Sequence, residues 1–352
     1  MKLIDFGKKE FMKVNEFAKK EKYLAILFCI FVLVFAVFSI VKPDMFLLQT
    51  NLESMAFQFP EYGIMALGVM LAMISGGIDL SIVAVANFSA IIAVMIMKKI
   101  AEIAPEATIA GIFLAIAAAI IVGWLVGFFN GTLVARLKVP AILATLGTMQ
   151  MLTGISVVLT KGKALNGVPP IYSETGNTPL FGFLPIHLIL FIICFALVAF
   201  LVIKTVYGAS LYAVGANLTA AKFSAVNYKK IISNTYALSG ALSAVSGLIM
   251  ISAYNSAKPD YGSAYMLQCV LIVILGGVSP TGGIGKVWGV LMAILTLQMV
   301  SSGMNMFNGL NVHYRSLVWG MLLLGMMVYT YFENNKKIGL NKPLKVSPAK
   351  GE

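Results

Sequence analysis

The sequence predicts an all-α polytopic membrane protein of about ten transmembrane helices. Three observations lead there. The chain of 352 residues is 59% hydrophobic and 11% charged, whereas a soluble domain carries about 25% charged residues. Apolar runs near the ~20 residues needed to cross hydrocarbon recur along it. The basic residues also divide unequally between alternate connections, as set out below.

The spans read from apolar length and breaks are 23–41, 62–75, 80–97, 108–129, 140–160, 185–204, 230–253, 265–275, 287–302 and 314–332. Before them lies a segment at 1–22 containing "KKEFMKVNEFAKKEKY". Its Phe11, Val14, Phe17 and Ala18 recur at helical spacing opposite lysines. That pattern suits an amphipathic helix on an anionic leaflet, with a solvated tail as the open alternative. The 23–41 run is too long for a secretory h-region and no small-residue cleavage site follows it, so it reads as a retained first span. The second and eighth spans are short and lead into glycines, which marks them as candidate broken helices. A tail occupies 333–352.

Starting with the N-terminus inside and alternating sides, nineteen of the 26 Lys and Arg fall on the inner side and seven outside. The acidic residues split seven and seven, so the whole net charge of +12 lies on one face. This positive-inside pattern places both termini in the cytoplasm. It also accounts for the basic balance without nucleic acid. Two outer connections, 161–184 and 254–264, are long enough to dock a partner, although plain connectors remain open.

Cys29, Cys194 and Cys269 each sit in an apolar run, with neither metal spacing nor a disulfide framework. Two histidines, His187 and His313, are too few for a zinc or His-based catalytic site. No catalytic, metal or cofactor-binding residue is assigned. The stretch "GGVSPTGGIGK" is not a P-loop, because Pro280 stands where the first glycine must be and Val287 follows the lysine. Gly123, Gly127 and Gly131 recur every four residues, a spacing that permits close helix approach.

The inner loop at 207–231 holds "NLTAAKFSAVN", which reads as a short helix capped by Asn217. Leu218, Phe223 and Val226 are its candidate anchors for a soluble partner, and an ordinary interfacial linker is the alternative. Here the residues resemble the ATPase-contact loop of bacterial ABC importer permeases of the simple-sugar group, which includes ribose and galactose permeases. That loop commonly reads Gly-Gly-Asn, two variable residues, Ala-Ala-Arg, then Ser-Gly-Ile/Val-Asn. This chain keeps Gly215, Asn217, Ala220, Ala221, Ser224 and Asn227; Lys222 stands for the arginine and Ala225 replaces a glycine. That replacement argues against a glycine being needed for the turn. "ALGVMLAMISGGIDLSIVAV", "FFNGTLVARLKVPAILATLGTM" and "GGVSPTGGIGKVWGVLMA" extend the resemblance, in order, over about residues 62–330.

The resemblance implies a ten-span fold like the vitamin B12 permease class (type II importer) in a bacterial inner membrane. It implies a second permease copy, a cytoplasmic ATP-binding subunit that uses ATP-Mg, and an external solute-binding protein. The coupling residues carried over are Gly215, Asn217, Ala220, Ala221, Lys222, Phe223, Ala225 and Asn227. The expected solute is a monosaccharide or related compound, with nucleosides and autoinducer-like furanosyl compounds as alternatives.

Asp79 is an acid within apolar sequence, where an ionised carboxylate costs several kcal/mol. Gly76 and Gly77 interrupt the helix before it, so it can cap the start of the third span instead of meeting lipid. Solute or gating contact is the other reading. Asn87, Asn130, Gln150, Gln268, Gln298 and Asn305 are candidates to line a pathway or to bond between helices. A stand-alone secondary transporter is the rival function; the scarcity of other intramembrane ionisable residues argues against a proton relay. A membrane-embedded enzyme would need a convergent catalytic cluster, and none is visible.

Overall fold

The structure is a computed structural model that describes residues 22–338 except 181, 183 and 308–312. The amphipathic segment expected at 1–22 falls outside the described residues apart from its last residue, as does the tail beyond 338. Fourteen α-helices follow in order: α1 Lys22–Val41, α2 Pro43–Phe46, α3 Gln49–Ile74, α4 Ile82–Ile103, α5 Thr108–Ala135, α6 Ala141–Thr160, α7 Pro170–Asn177, α8 Ile186–Lys204, α9 Val206–Ala216, α10 Leu218–Phe223, α11 Tyr228–Tyr254, α12 Tyr265–Leu275, α13 Val287–Asn305 and α14 His313–Ile338. Eight of these are long and apolar enough to cross a membrane: α1, α3, α4, α5, α6, α8, α11 and α13. The short apolar α12 and the apolar part of α14 complete the ten expected segments.

Three differences from the expectation have physical causes. First, α3 is neither short nor broken. It starts at Gln49 and runs for 26 residues through Pro60. Proline lacks an N–H and normally ends a helix, but neighbouring helices can re-satisfy the backbone within a bundle. The carbonyl that loses its N–H partner is that of Ala56, and one turn further on α3 is tied to α11 by the Ser246 hydroxyl, which donates to the Glu61 carbonyl. Second, α9 is a separate helix before the short loop helix. Its N-terminus is capped by Thr205 Oγ1, which accepts from the Gly208 N–H at 3.3 Å. Third, the two connections 161–184 and 254–264, expected on the outer side, are not independent. Leu165–Asn166 (β1) pairs antiparallel with Ser256–Ala257 (β2), Leu165 opposite Ala257.

The core is built around α3, whose inner residues from Phe59 to Ile74 are all buried against α8, α11, α12 and α13. By contrast, α1 packs along α13 and leaves Ile26, Leu33 and Ile40 exposed, as a lipid-facing helix does. One end of the bundle carries Arg136, Lys138, Lys204, Lys229, Lys230 and Lys286 at helix ends and is called the basic end below.

The glycine spacing on α5 meets α11 directly. A Cβ at Gly127 would lie 2.1 Å from the Tyr236 carbonyl oxygen, and one at Gly123 would lie 2.4 Å from that of Gly240. The backbones therefore touch with nothing between them. Lipid tails are as apolar as leucine, so such close packing is what holds the pair together. Gly127→Val is expected to force the helices apart and cost about 1–3 kcal/mol, read as a lower melting temperature in detergent. An unchanged melting temperature would contradict the seam.

Candidate functional site

Three regions hold the residues singled out by the sequence. The first is the loop at the basic end. Asn217 Oδ1 accepts from the Ala220 N–H at 3.0 Å and caps α10. Asn227 Oδ1 accepts from the Lys230 N–H at 3.1 Å and caps α11. Ala221 and Val226 pack inward against Ala135, Ile232 and Tyr236. Lys222 and Ala220 are exposed, and Phe223 is 86% exposed. Of the three expected anchors, Val226 thus faces its own bundle, while Leu218 and Phe223 face outward. Ala225 has φ 59°, so the turn is left-handed after all. The departure from glycine does not mean that the turn is absent; an alanine tolerates it at a cost of about 1 kcal/mol.

The loop is locked to the ends of two other elements through glycines. A Cβ on Gly215 would sit 1.8 Å from the Ile74 carbonyl oxygen at the end of α3. A Cβ on Gly282 would sit 2.6 Å from the Gly76 Cα, and the Gly283 N–H donates to the Ile74 oxygen at 2.9 Å. Three chain segments therefore meet backbone to backbone.

The second region surrounds Asp79, which is 1% exposed. Its Oδ1 accepts from the Ser81 N–H at 3.0 Å and from the Ser81 hydroxyl at 2.6 Å. Its Oδ2 accepts from the Ser239 hydroxyl of α11 at 2.8 Å. Ser81 is the N-cap residue of α4. The chain of bonds continues: Asn130 Nδ2 of α5 donates to Ser81 Oγ at 2.9 Å, and the Thr148 hydroxyl of α6 donates to Asn130 Oδ1 at 2.6 Å. Asp79 and Asn130 therefore belong to one buried network that joins α4, α5, α6 and α11.

The third region is a cavity of about 750 Å³ at the end opposite the basic loops. Gln268 and Gln298 both line it, together with Gln58, Glu61, Tyr62, Tyr254, Tyr265 and Trp319. Glu61 is 4% exposed, and its Oε2 accepts from the Tyr254 hydroxyl at 2.8 Å and the Tyr265 hydroxyl at 2.9 Å. The Tyr62 hydroxyl donates to Gln298 Oε1 at 2.5 Å. Asn87 lies beside the cavity rather than in it. Its Nδ2 donates to the carbonyls of Pro259 and Tyr261, both at 2.9 Å, and so pins the connection that forms one wall. Gln150 is on an exposed face of α6, and Asn305 is exposed at the end of α13 beside a separate depression. Neither joins the cavity.

Glu61, Tyr254 and Tyr265 were not among the sequence candidates. Read from apolar length, the second span starts at 62, one residue after Glu61. The missed signal was the apolar residues on both sides of it, Met55 to Phe59 and Tyr62 to Leu67.

The described residues thus form a bundle of membrane-length helices with exposed apolar faces, a cavity lined by polar and aromatic side chains and a projecting short helix. The chain belongs to the family described as "Branched-chain amino acid transport system / permease component", which it matches over residues 51–327. It is therefore a multi-pass permease component of the ABC importer type. It is 30% identical over 316 residues to the ribose import permease protein of Haemophilus influenzae, covering 88% of this chain and 94% of that one. It is 32% identical over 297 residues to the ribose import permease protein of Bacillus subtilis, covering 84% and 88% respectively. It is 30% identical over 298 residues to an autoinducer 2 import system permease protein of Yersinia pestis, covering 84% and 81%. No solved structure matches the chain.

Two outcomes test the geometry. Ala225→Gly is expected to stabilise the protein by about 1 kcal/mol and to slow proteolysis within 215–227. Asp79→Ala removes the acceptor for two serine hydroxyls and is expected to cost about 1–3 kcal/mol, seen as lower yield and melting temperature. A stable Asp79→Ala protein with altered solute preference would instead place the carboxylate on the solute.

Proposed function

We propose that the chain is the membrane-spanning subunit of an ATP-driven importer of a monosaccharide or closely related compound. In this reading the basic end faces the cytoplasm, and two permease copies form the complex with the vitamin B12 permease type of fold. A partner ATPase docks on α10 and hydrolyses ATP-Mg, and an external binding protein delivers solute to the connections around 161–184 and 254–264. The solute class follows the ribose and autoinducer 2 permeases that the chain is similar to.

The observation that carries the reading is the loop helix. It is held in place by Ala221 and Val226, presents Phe223 almost fully exposed, and follows directly on α9, whose Gly215 abuts the end of α3. A large aromatic side chain exposed at the basic end, on a helix too short to be stable alone, suits a socket in a soluble partner. Glu61, buried at membrane depth, is the one observation favouring the rival, a secondary transporter coupled to an ion.

Phe223→Asp separates the two. Phe223 touches little of its own protein, so the variant is expected to insert and fold normally, lose co-purification with the cognate ATPase and lose ATP-driven sugar uptake. Ala221 is a poorer probe because it is buried. Undiminished co-purification of Phe223→Asp would sink the docking assignment, and uptake that survives deletion of every ATPase would favour the rival.

A further inference from the structure

We propose that the cavity around Glu61 is a solute station that reads hydroxyl groups on a small, neutral, polyhydroxylated molecule. The proposal rests on the importer reading above and adds where within the protomer the solute sits and what selects it.

Three observations support it. The first is unused hydrogen-bonding capacity. Glu61 Oε2 takes both tyrosine hydroxyls, whereas Oε1 accepts nothing from the described residues. The Gln268 side chain is 5% exposed, lines the same cavity and has no partner among the described residues. Both groups face the cavity, so their open positions are available to a molecule that enters it. The amide offers two donors and an acceptor, and the carboxylate oxygen is an acceptor. A hydroxyl both donates and accepts, so adjacent hydroxyls match this set.

The second is charge. Among the described residues that line the cavity, Glu61 is the only acid, none is Lys or Arg, and His187 is the only imidazole. A solute carboxylate or phosphate would meet a carboxylate with no fixed cation to offset it. Sugar phosphates and other anionic solutes are therefore disfavoured, and neutral polyols are admitted.

The third is shape. At about 750 Å³ the cavity falls within the roughly 300–1,000 Å³ of small-molecule sites, which combine apolar walls with a few fixed polar groups. Tyr62 and Trp319 supply flat apolar surface beside the polar groups. The two tyrosine hydroxyls fix the carboxylate in place, so its free oxygen is already oriented before solute arrives.

The test begins with Ser263→Cys, an exposed position on the cavity wall, in a chain whose Cys29, Cys194 and Cys269 are replaced by serine. Labelling by a membrane-impermeant maleimide is followed in vesicles of both orientations with D-ribose, D-galactose, glycerol or L-leucine present. At least one neutral polyol or sugar is expected to slow labelling several-fold, and L-leucine is expected to leave it unchanged. No protection by any of the three, or equal protection by L-leucine, overturns the proposal.

Glu61→Gln keeps an acceptor for both tyrosines but turns the atom left to the solute from an acceptor into an N–H donor. It is expected to lower kcat/KM for ATP-driven sugar uptake about tenfold while co-purification with the ATPase persists. Unaltered uptake kinetics in Glu61→Gln overturn the station and leave the importer intact. Absent ATP-driven sugar uptake in the unsubstituted chain overturns the importer reading, while the protection result still decides what the cavity binds.

Discussion

In a protein solvated by hydrocarbon, a buried polar atom has no water to turn to, so its partner must come from another helix. Asp79 shows how far that requirement organises the bundle. Its two carboxylate oxygens receive three hydrogen bonds, two from Ser81 and one from Ser239. Ser81 in turn takes a bond from Asn130, which takes one from Thr148. Four helices are thereby fixed in rotation about their own axes, because each must present one polar side chain to the same point. The apolar packing around α3 can then be dense without having to specify register by itself.

The parts of this architecture visible in the sequence are those set by length and local chemistry. Apolar runs mark spans because a helix crossing hydrocarbon needs a minimum number of residues, and the bounds at 265–275 coincide with those of α12. Asn217 announces a helix start because its side chain replaces a missing backbone acceptor. Other features depended on the surroundings. Pro60 breaks a helix in water, yet here α3 continues through it with Ser246 alongside. Ala225 gives no local sign of its left-handed backbone. The cavity was half legible: Gln268 and Gln298 stood out as amides in apolar spans. Nothing local indicates that Glu61, Tyr254 and Tyr265 converge on one another, since nearly two hundred residues separate the first two.

The two ends of the molecule are connected by one helix. α3 carries Glu61 in the cavity wall and ends at Ile74, whose carbonyl oxygen abuts Gly215 and accepts from Gly283. The thirteen residue steps from Glu61 to Ile74 span about 20 Å. The helix that holds the cavity's carboxylate thus ends in backbone contact with α9 and with the turn before α13.

The glycine contact between α5 and α11 has a mechanical consequence. Side-chain interfaces can be bistable because rotamers offer alternative fits; this interface has no torsions to turn, and its carbonyls already touch the opposing backbone. The two helices form a single beam. One end of that beam starts at Asn227, next to the exposed loop, and the other ends at Tyr254, on the cavity rim. Any change of shape between those points must tilt the beam whole, and the flexing must take place at the turns that bracket it.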